Sequence, residues 1–174
     1  MLNAKKYILT GVILGSIAAV AAGLIAVTNL ITAPKIRKNE VDAVNSGIAA
    51  IFGEGASVNE EADLDGYQYV AHYYSVTSSS NEFLGYALKT SGSNMYGKIS
   101  LIAGFDVKSH NFMSLSLVSN EQTYASTLVD NYVTPLNDGS RDLEDVSCGA
   151  TYGAKLVRDM VNEAKVAADA LWSK

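Results

Sequence analysis

The sequence predicts an α+β fold, an antiparallel sheet with packed helices, preceded by one N-terminal transmembrane helix. Three observations carry this reading. Tyr7 through Pro34 contains no charged residue. Four short strand-like runs follow one another with polar turns between them, and the last segment sets apolar residues at helical spacing. The uncharged run "YILTGVILGSIAAVAAGLIAVTNLITAP" exceeds the ~20 apolar residues that cross a bilayer core. It is too long for the apolar centre of a secretory signal, which spans about 7–15 residues. A small domain rarely contains a helix that is apolar on every side, so a retained membrane span is the reading taken. Lys5 and Lys6 precede the span and Lys35, Arg37 and Lys38 follow it, and short-range counting of basic residues does not orient it. Long domains translocate largely regardless of charge.

Three parts are expected: residues 1–34 as tail and transmembrane helix, 35–53 as a juxtamembrane amphipathic helix, and 54–174 as an extracytoplasmic domain. "KIRKNEVDAVNSGIAAIFG" places Val41, Val44, Ile48, Ile51 and Phe52 on one helical face and stops at Gly53. "EGASVNEEADLDG" is acidic and without periodicity, which predicts a surface connection. "YQYVAHYYSV", "EFLGYALKT", "GKISLIAGFDV" and "FMSLSLVS" read as strands, with "TSSSN" and "TSGSN" as turns. Short connections favour antiparallel pairing. "NEQTYASTLVDNYV" reads as a helix and "TPLNDGSRDLEDVS" as a loop. In the final segment Leu156, Val157, Met160, Val161, Ala164, Ala168 and Leu171 form one stripe, the mark of a helix packed on the sheet. Strands followed by packed helices make an α+β domain.

Composition excludes several functions. The formal charge is −5 despite the basic flanks of the span, so nucleic acid is not an expected partner. Cys148 is the only cysteine, which rules out an intrachain disulfide and a cysteine metal cage. His72 and His110, the only histidines, stand in no ligand-spaced cluster, and no metal site is expected. Neither a Walker phosphate loop nor a dinucleotide glycine fingerprint occurs.

The stretch that carries chemistry is "EDVSCGATYGAKLVRDM". Its helix is expected to begin near Ala150 or Thr151, where free backbone N–H groups and the positive end of the helix dipole favour an anion. Gly149 and Ala150 let bulky matter approach the backbone. Lys155 and Arg158 fall in the first two turns, where cations are ordinarily unfavourable by about 0.3–1 kcal/mol and a bound phosphate reverses the sign. The plainer alternative makes Ser147 an ordinary N-cap, with Asp142, Glu144 and Asp145 answering the dipole. Two other readings stay open. Cys148 could be a nucleophile with His72 or His110 as base, since a helix N-terminus lowers a thiol pKa. The chain could also be a membrane-anchored interaction module without a cofactor, whose tyrosines, several of them in "YQYVAHYYS", anchor a partner; strand filling is the alternative for those tyrosines.

"CGATYGAKLV", preceded by Asp145, resembles the flavinylation motif of the FMN-binding domains in the G subunit of Rnf complexes and the C subunit of the sodium-translocating NADH:quinone reductase. In that family the motif reads approximately Asp-x-x-Ser-Gly-Ala-Thr, and the threonine is esterified to the phosphate of FMN. The resemblance makes Thr151 the acceptor, with Asp145, Gly149 and Ala150 at their family positions. Cys148 replaces the usual serine, and Gly153-Ala154 replaces a Thr-Ser pair. It extends to "TAPKIRKNE" after the span, to "MYGKISLIAGFD", and to "VSNEQT" in the place of a Glu-Thr-Pro-Gly segment near the flavin; the proline is absent, with Thr123, Tyr124, Ala125 and Ser126 there instead. The resemblance implies a cofactor site of Thr151, Cys148, Gly149, Ala150, Lys155, Arg158, Glu121, Thr123 and Tyr96, with no catalytic or metal residues. The function it implies is an electron-relay subunit with covalent FMN in a membrane-bound ion-translocating ferredoxin:NAD oxidoreductase of Rnf type. The short length of the chain favours that type over the longer homologue in the quinone reductase. Partners implied are other membrane subunits, a flavin transferase for maturation, and membrane lipid. Gly11, Gly15, Ala18, Ala19, Ala22 and Gly23 would let neighbouring helices approach the span closely.

Overall fold

The computed structural model describes residues 2–173, and the side chains of residues 2–6, Arg37 and Glu60 lie outside the described set, among them those of the flanking Lys5, Lys6 and Arg37. The chain divides into two compact units, Met1–Val41 and Asp42–Lys174. The first helix, α1, spans Leu2–Phe52 and contains Pro34. It is the one helix among the described residues long and apolar enough to cross a membrane. In the first unit Ile8, Val12, Ile17, Val20, Leu24 and Ile31 are all exposed on it, as a lipid-facing surface requires. Its hydroxyls at Ser16 and Thr28 are satisfied within the helix, because Ser16 Oγ donates to Val12 O and Thr28 Oγ1 to Leu24 O, each at 2.8 Å. That back-bonding removes the cost of an unpaired polar group in hydrocarbon.

The second unit is built on a five-stranded antiparallel sheet in the order β1-β2-β3-β4-β5. The strands are β1 Ser57–Asp63, β2 Val70–Thr77, β3 Phe83–Asn94, β4 Gly97–Asp106 and β5 Phe112–Asn120. Sequential strands pair with their neighbours because the connections are too short to cross over. β1 corrects the expectation of a surface connection at "EGASVNEEADLDG": it pairs with β2 from Ser57↔Thr77 to Asp63↔His72. It is an edge strand, and its acidic outer positions hid the alternation while discouraging pairing with another chain. "TSGSN" is likewise strand rather than turn, since β3 pairs with β4 as far as Asn94↔Gly97. The reversal is confined to Met95 and Tyr96, and this puts Tyr96 at a hairpin tip.

The sheet buries both faces. One carries Leu88, Ile99, Leu101, Ala103, Phe105 and Leu115 against the C-terminal helices. The other carries Tyr74, Val76, Ala87 and Ile102 against Val44, Ile48 and Ile51 of α1. Gly104 permits that second contact, because a Cβ there would lie 2.3 Å from Ile51 Cγ2. Val41, placed by spacing on the same apolar face, is exposed.

The segment after β5 is helical throughout 125–137: α2 Ala125–Leu128, a π-helical turn Val129–Val133, and α3 Thr134–Asn137. It runs past the expected loop start at Thr134: α3 continues directly from the π-helical turn and carries Pro135 as its second residue. Asn137 then closes the edge of β5, accepting from Leu115 N at 2.9 Å and donating to Leu115 O at 2.8 Å. The last helix, α4 Thr151–Trp172, buries the whole predicted stripe. Glu163 fixes it to the start of β2, accepting hydrogen bonds from the N–H groups of Gln68 and Tyr69.

Candidate functional site

The site grows from the start of α4. Ala150 is the N-cap residue, and no side chain caps the helix. Ser147 is therefore not the cap that the plainer reading made it: its N–H donates to Asp145 Oδ1 at 3.3 Å, and its carbonyl accepts from Arg141 Nη1 at 3.2 Å. Helical bonding begins with Ala154 N on Ala150 O at 3.0 Å, which leaves the N–H groups of Thr151, Tyr152 and Gly153 with no acceptor inside the helix. Gly149, at φ +81°, turns the chain into the helix in a conformation that L residues avoid.

The loop that delivers this turn is held from two sides. Arg141 Nη1 donates to Asp145 O at 2.8 Å and pairs with Asp145 Oδ2 at 3.1 Å. From the π-helical turn, Asn131 Nδ2 donates to Cys148 O at 3.2 Å and the Tyr132 hydroxyl donates to Leu143 O. Burial pushes the Tyr132 phenol well above its usual range, so it remains a neutral donor. Cys148 itself is buried behind the helix start.

A cleft of about 270 Å³ opens over the uncapped turn. Thr151, Gly149, Ala150 and Tyr96 line it, as do five residues outside the expected site set: Gln122, Tyr124, Leu128, Tyr152 and Gly153. Three tyrosines face one another there. The Tyr96 ring lies 5.5 Å from that of Tyr152 and 6.0 Å from that of Tyr124. Their signal in the sequence is that each falls at a turn or a helix start, where no core demands an aromatic. Thr123 props Tyr96, its N–H donating to Tyr96 O at 2.9 Å and its hydroxyl to the same oxygen at 3.3 Å.

Five of the residues expected at the site do not line the cleft: Cys148 and Thr123, placed above, and Glu121, Lys155 and Arg158. Glu121 is exposed, and its backbone packs against Gly97, where a Cβ would lie 2.2 Å from Glu121 O. Lys155 is exposed, with Nζ 5.9 Å from the Tyr152 ring centroid. Arg158 is engaged by Asp159 Oδ1 at 2.7 Å and faces Glu144 Oε2 at 3.7 Å. Asp159's hydrogen bond raises the pKa of its guanidinium. No cluster of three or more metal-ligating side chains occurs among the described residues.

Chemically, the cleft offers unpaired N–H donors and a helix dipole for an anion, aromatic faces for a planar ring, and a hydroxyl between them. FMN has both a phosphate and a planar ring, and the donor set fits it. No curated protein matches the chain. Residues 1–51 match the family model described as the RnfG N-terminal region, a match that lies outside the cleft and supports membership of the RnfG family of Rnf complexes.

Proposed function

We propose that the chain is an electron-relay subunit carrying FMN, esterified through its phosphate to the side-chain oxygen of Thr151, in a membrane-bound ion-translocating ferredoxin:NAD oxidoreductase of Rnf type. The observation that carries the reading is the position of Thr151, in the uncapped first turn of α4 and in the wall of the tyrosine-lined cleft. The free N–H groups of Tyr152 and Gly153 would bind phosphate oxygens, and the helix dipole adds to that attraction. Lys155, four residues on, is the nearer cation, whereas Arg158 already answers two carboxylates. Tyr96, Tyr124 and Tyr152 would flank the ring and exclude water from it. The bound flavin supplies the redox chemistry. The chain holds and positions it.

Threonine is a poor nucleophile without activation, and among the described residues no histidine or carboxylate lines the cleft beside Thr151. A separate transferase is therefore proposed, acting on a flavin dinucleotide: the threonine oxygen gains the bond to the FMN phosphorus, the pyrophosphate bond breaks, and the hydroxyl proton leaves with AMP. Thr151 is only half-buried and so within reach. Protein made beside its transferase should exceed the sequence mass by one FMN less water and keep the flavin through denaturation. Thr151→Ala should abolish both signals with little change in stability, and denaturation-resistant flavin on that variant would overturn the assignment.

The chain has one N-terminal helix able to anchor it. We place residues 35–174 away from the cytoplasm, where a covalent bond prevents loss of the cofactor by dilution, with other membrane subunits of the complex as partners. Protease added outside intact membranes should degrade this part, and full protection beside a cleaved external control would reverse the orientation.

A further inference from the structure

Gln122 is buried to 7% exposure, yet it lines the cleft. Its amide orientation is dictated by its neighbours. Nε2 donates to Asn94 Oδ1 at 3.1 Å and to Gly97 O, and both of those atoms are acceptors, so nitrogen must stand there. Oε1 therefore points the other way, toward the first turn of α4, where it lies 3.3 Å from the position of a Cβ on Gly153. Among the described residues no donor reaches Oε1. An acceptor sealed from water without a partner costs about 1–3 kcal/mol, a cost that any ligand closing the cleft must answer. Asn94 makes the arrangement rigid: its Oδ1 also accepts from Tyr96 N at 2.8 Å, and its Nδ2 donates to Tyr152 O at 3.1 Å. One asparagine thus fixes the orientation of Gln122 and joins the hairpin tip to the helix start.

The consequence is a division of labour by sign. Backbone N–H groups at the helix start attract an anion, and Oε1 repels one. A ligand that fills the cleft must present a hydrogen-bond donor to Gln122 while it presents phosphate to the helix. Resting on the flavin reading above, we infer that Gln122 is the specificity-determining acceptor of this cleft, receiving an N–H or O–H donor of the flavin. Two groups of that ligand carry such a donor, the imide of the ring and the hydroxyls of the ribityl chain.

The test compares FMN-loaded full-length protein with Thr151→Ala protein, both labelled at the Gln122 side chain for NMR. On loading, the Gln122 side-chain carbonyl carbon should move downfield while the Nε2 protons hold their positions, because Asn94 and Gly97 keep them. With flavin labelled at the imide nitrogen, slow exchange of the imide proton assigns the donor to the ring. Fast exchange with the same carbonyl shift assigns it to the ribityl chain. An unmoved carbonyl in fully loaded protein overturns the inference and leaves the covalent reading intact. If mass shows no attached flavin, the covalent reading fails, and free FMN added to the same protein decides the Gln122 inference by the same carbonyl signal.

Discussion

Gly149 is the residue on which the geometry of the acceptor turns. At φ +81° an L side chain is strained by roughly 1–2 kcal/mol, and a Cβ there would lie 3.3 Å from Thr127 Cγ2, a contact that α2 must yield to accommodate. Gly149→Ala should therefore lower stability by about 1–2 kcal/mol. In a chain of this size that is a fall in Tm of roughly 2–8 °C. It should reduce flavin attachment by a larger factor than it reduces folded protein, because relief of the strain rotates the peptide that aims Thr151 at the cleft. Thermal melts and intact mass on the same preparation separate the two effects. Equal loss of both would mean that the glycine serves folding alone.

At the scale of elements, what could be read from the chain depended on burial. The stripe of α4 and the runs of β2 to β5 are buried on at least one face and wrote that burial into their periodicity. β1 is an edge strand with Glu61 and Asp63 exposed, so nothing in its pattern distinguished it from a loop. The segment expected to become a loop at Thr134 stays helical as far as Asn137. The cleft was half legible: a local motif marks Gly149, Ala150 and Thr151, and resemblance marks the segment around Gln122 and Tyr124 without naming either as a site residue, but Leu128 reaches the cleft only through the fold. The contact of α1 with the sheet has its own test. Gly104→Ala would drive a methyl to within 2.3 Å of Ile51 Cγ2, and overpacking of this kind costs about 1–3 kcal/mol. Ile51→Ala in the same chain should recover part of that loss, a non-additivity expected only of residues in direct contact. Strict additivity in denaturant titrations would show that α1 does not pack there.

For the whole molecule, the question is where the folded domain begins. The second unit starts at Asp42, inside α1, and one of the two hydrophobic clusters has Val44, Ile48 and Ile51 as its helical half. Without them Tyr74, Val76, Ala87 and Ile102 would present an apolar sheet face to water. Burying three such side chains contributes about 1.5–3 kcal/mol each, together comparable to the ~5–15 kcal/mol that holds a typical domain folded. A fragment of residues 42–174 should therefore be soluble and unfold in one cooperative transition, since it contains both halves of each cluster. A fragment of residues 54–174 keeps the cleft residues yet should aggregate or unfold at markedly lower denaturant concentration. Equal stability of the two fragments would mean that the end of α1 is dispensable to the domain, and the fold would then rest on the α4 face of the sheet alone.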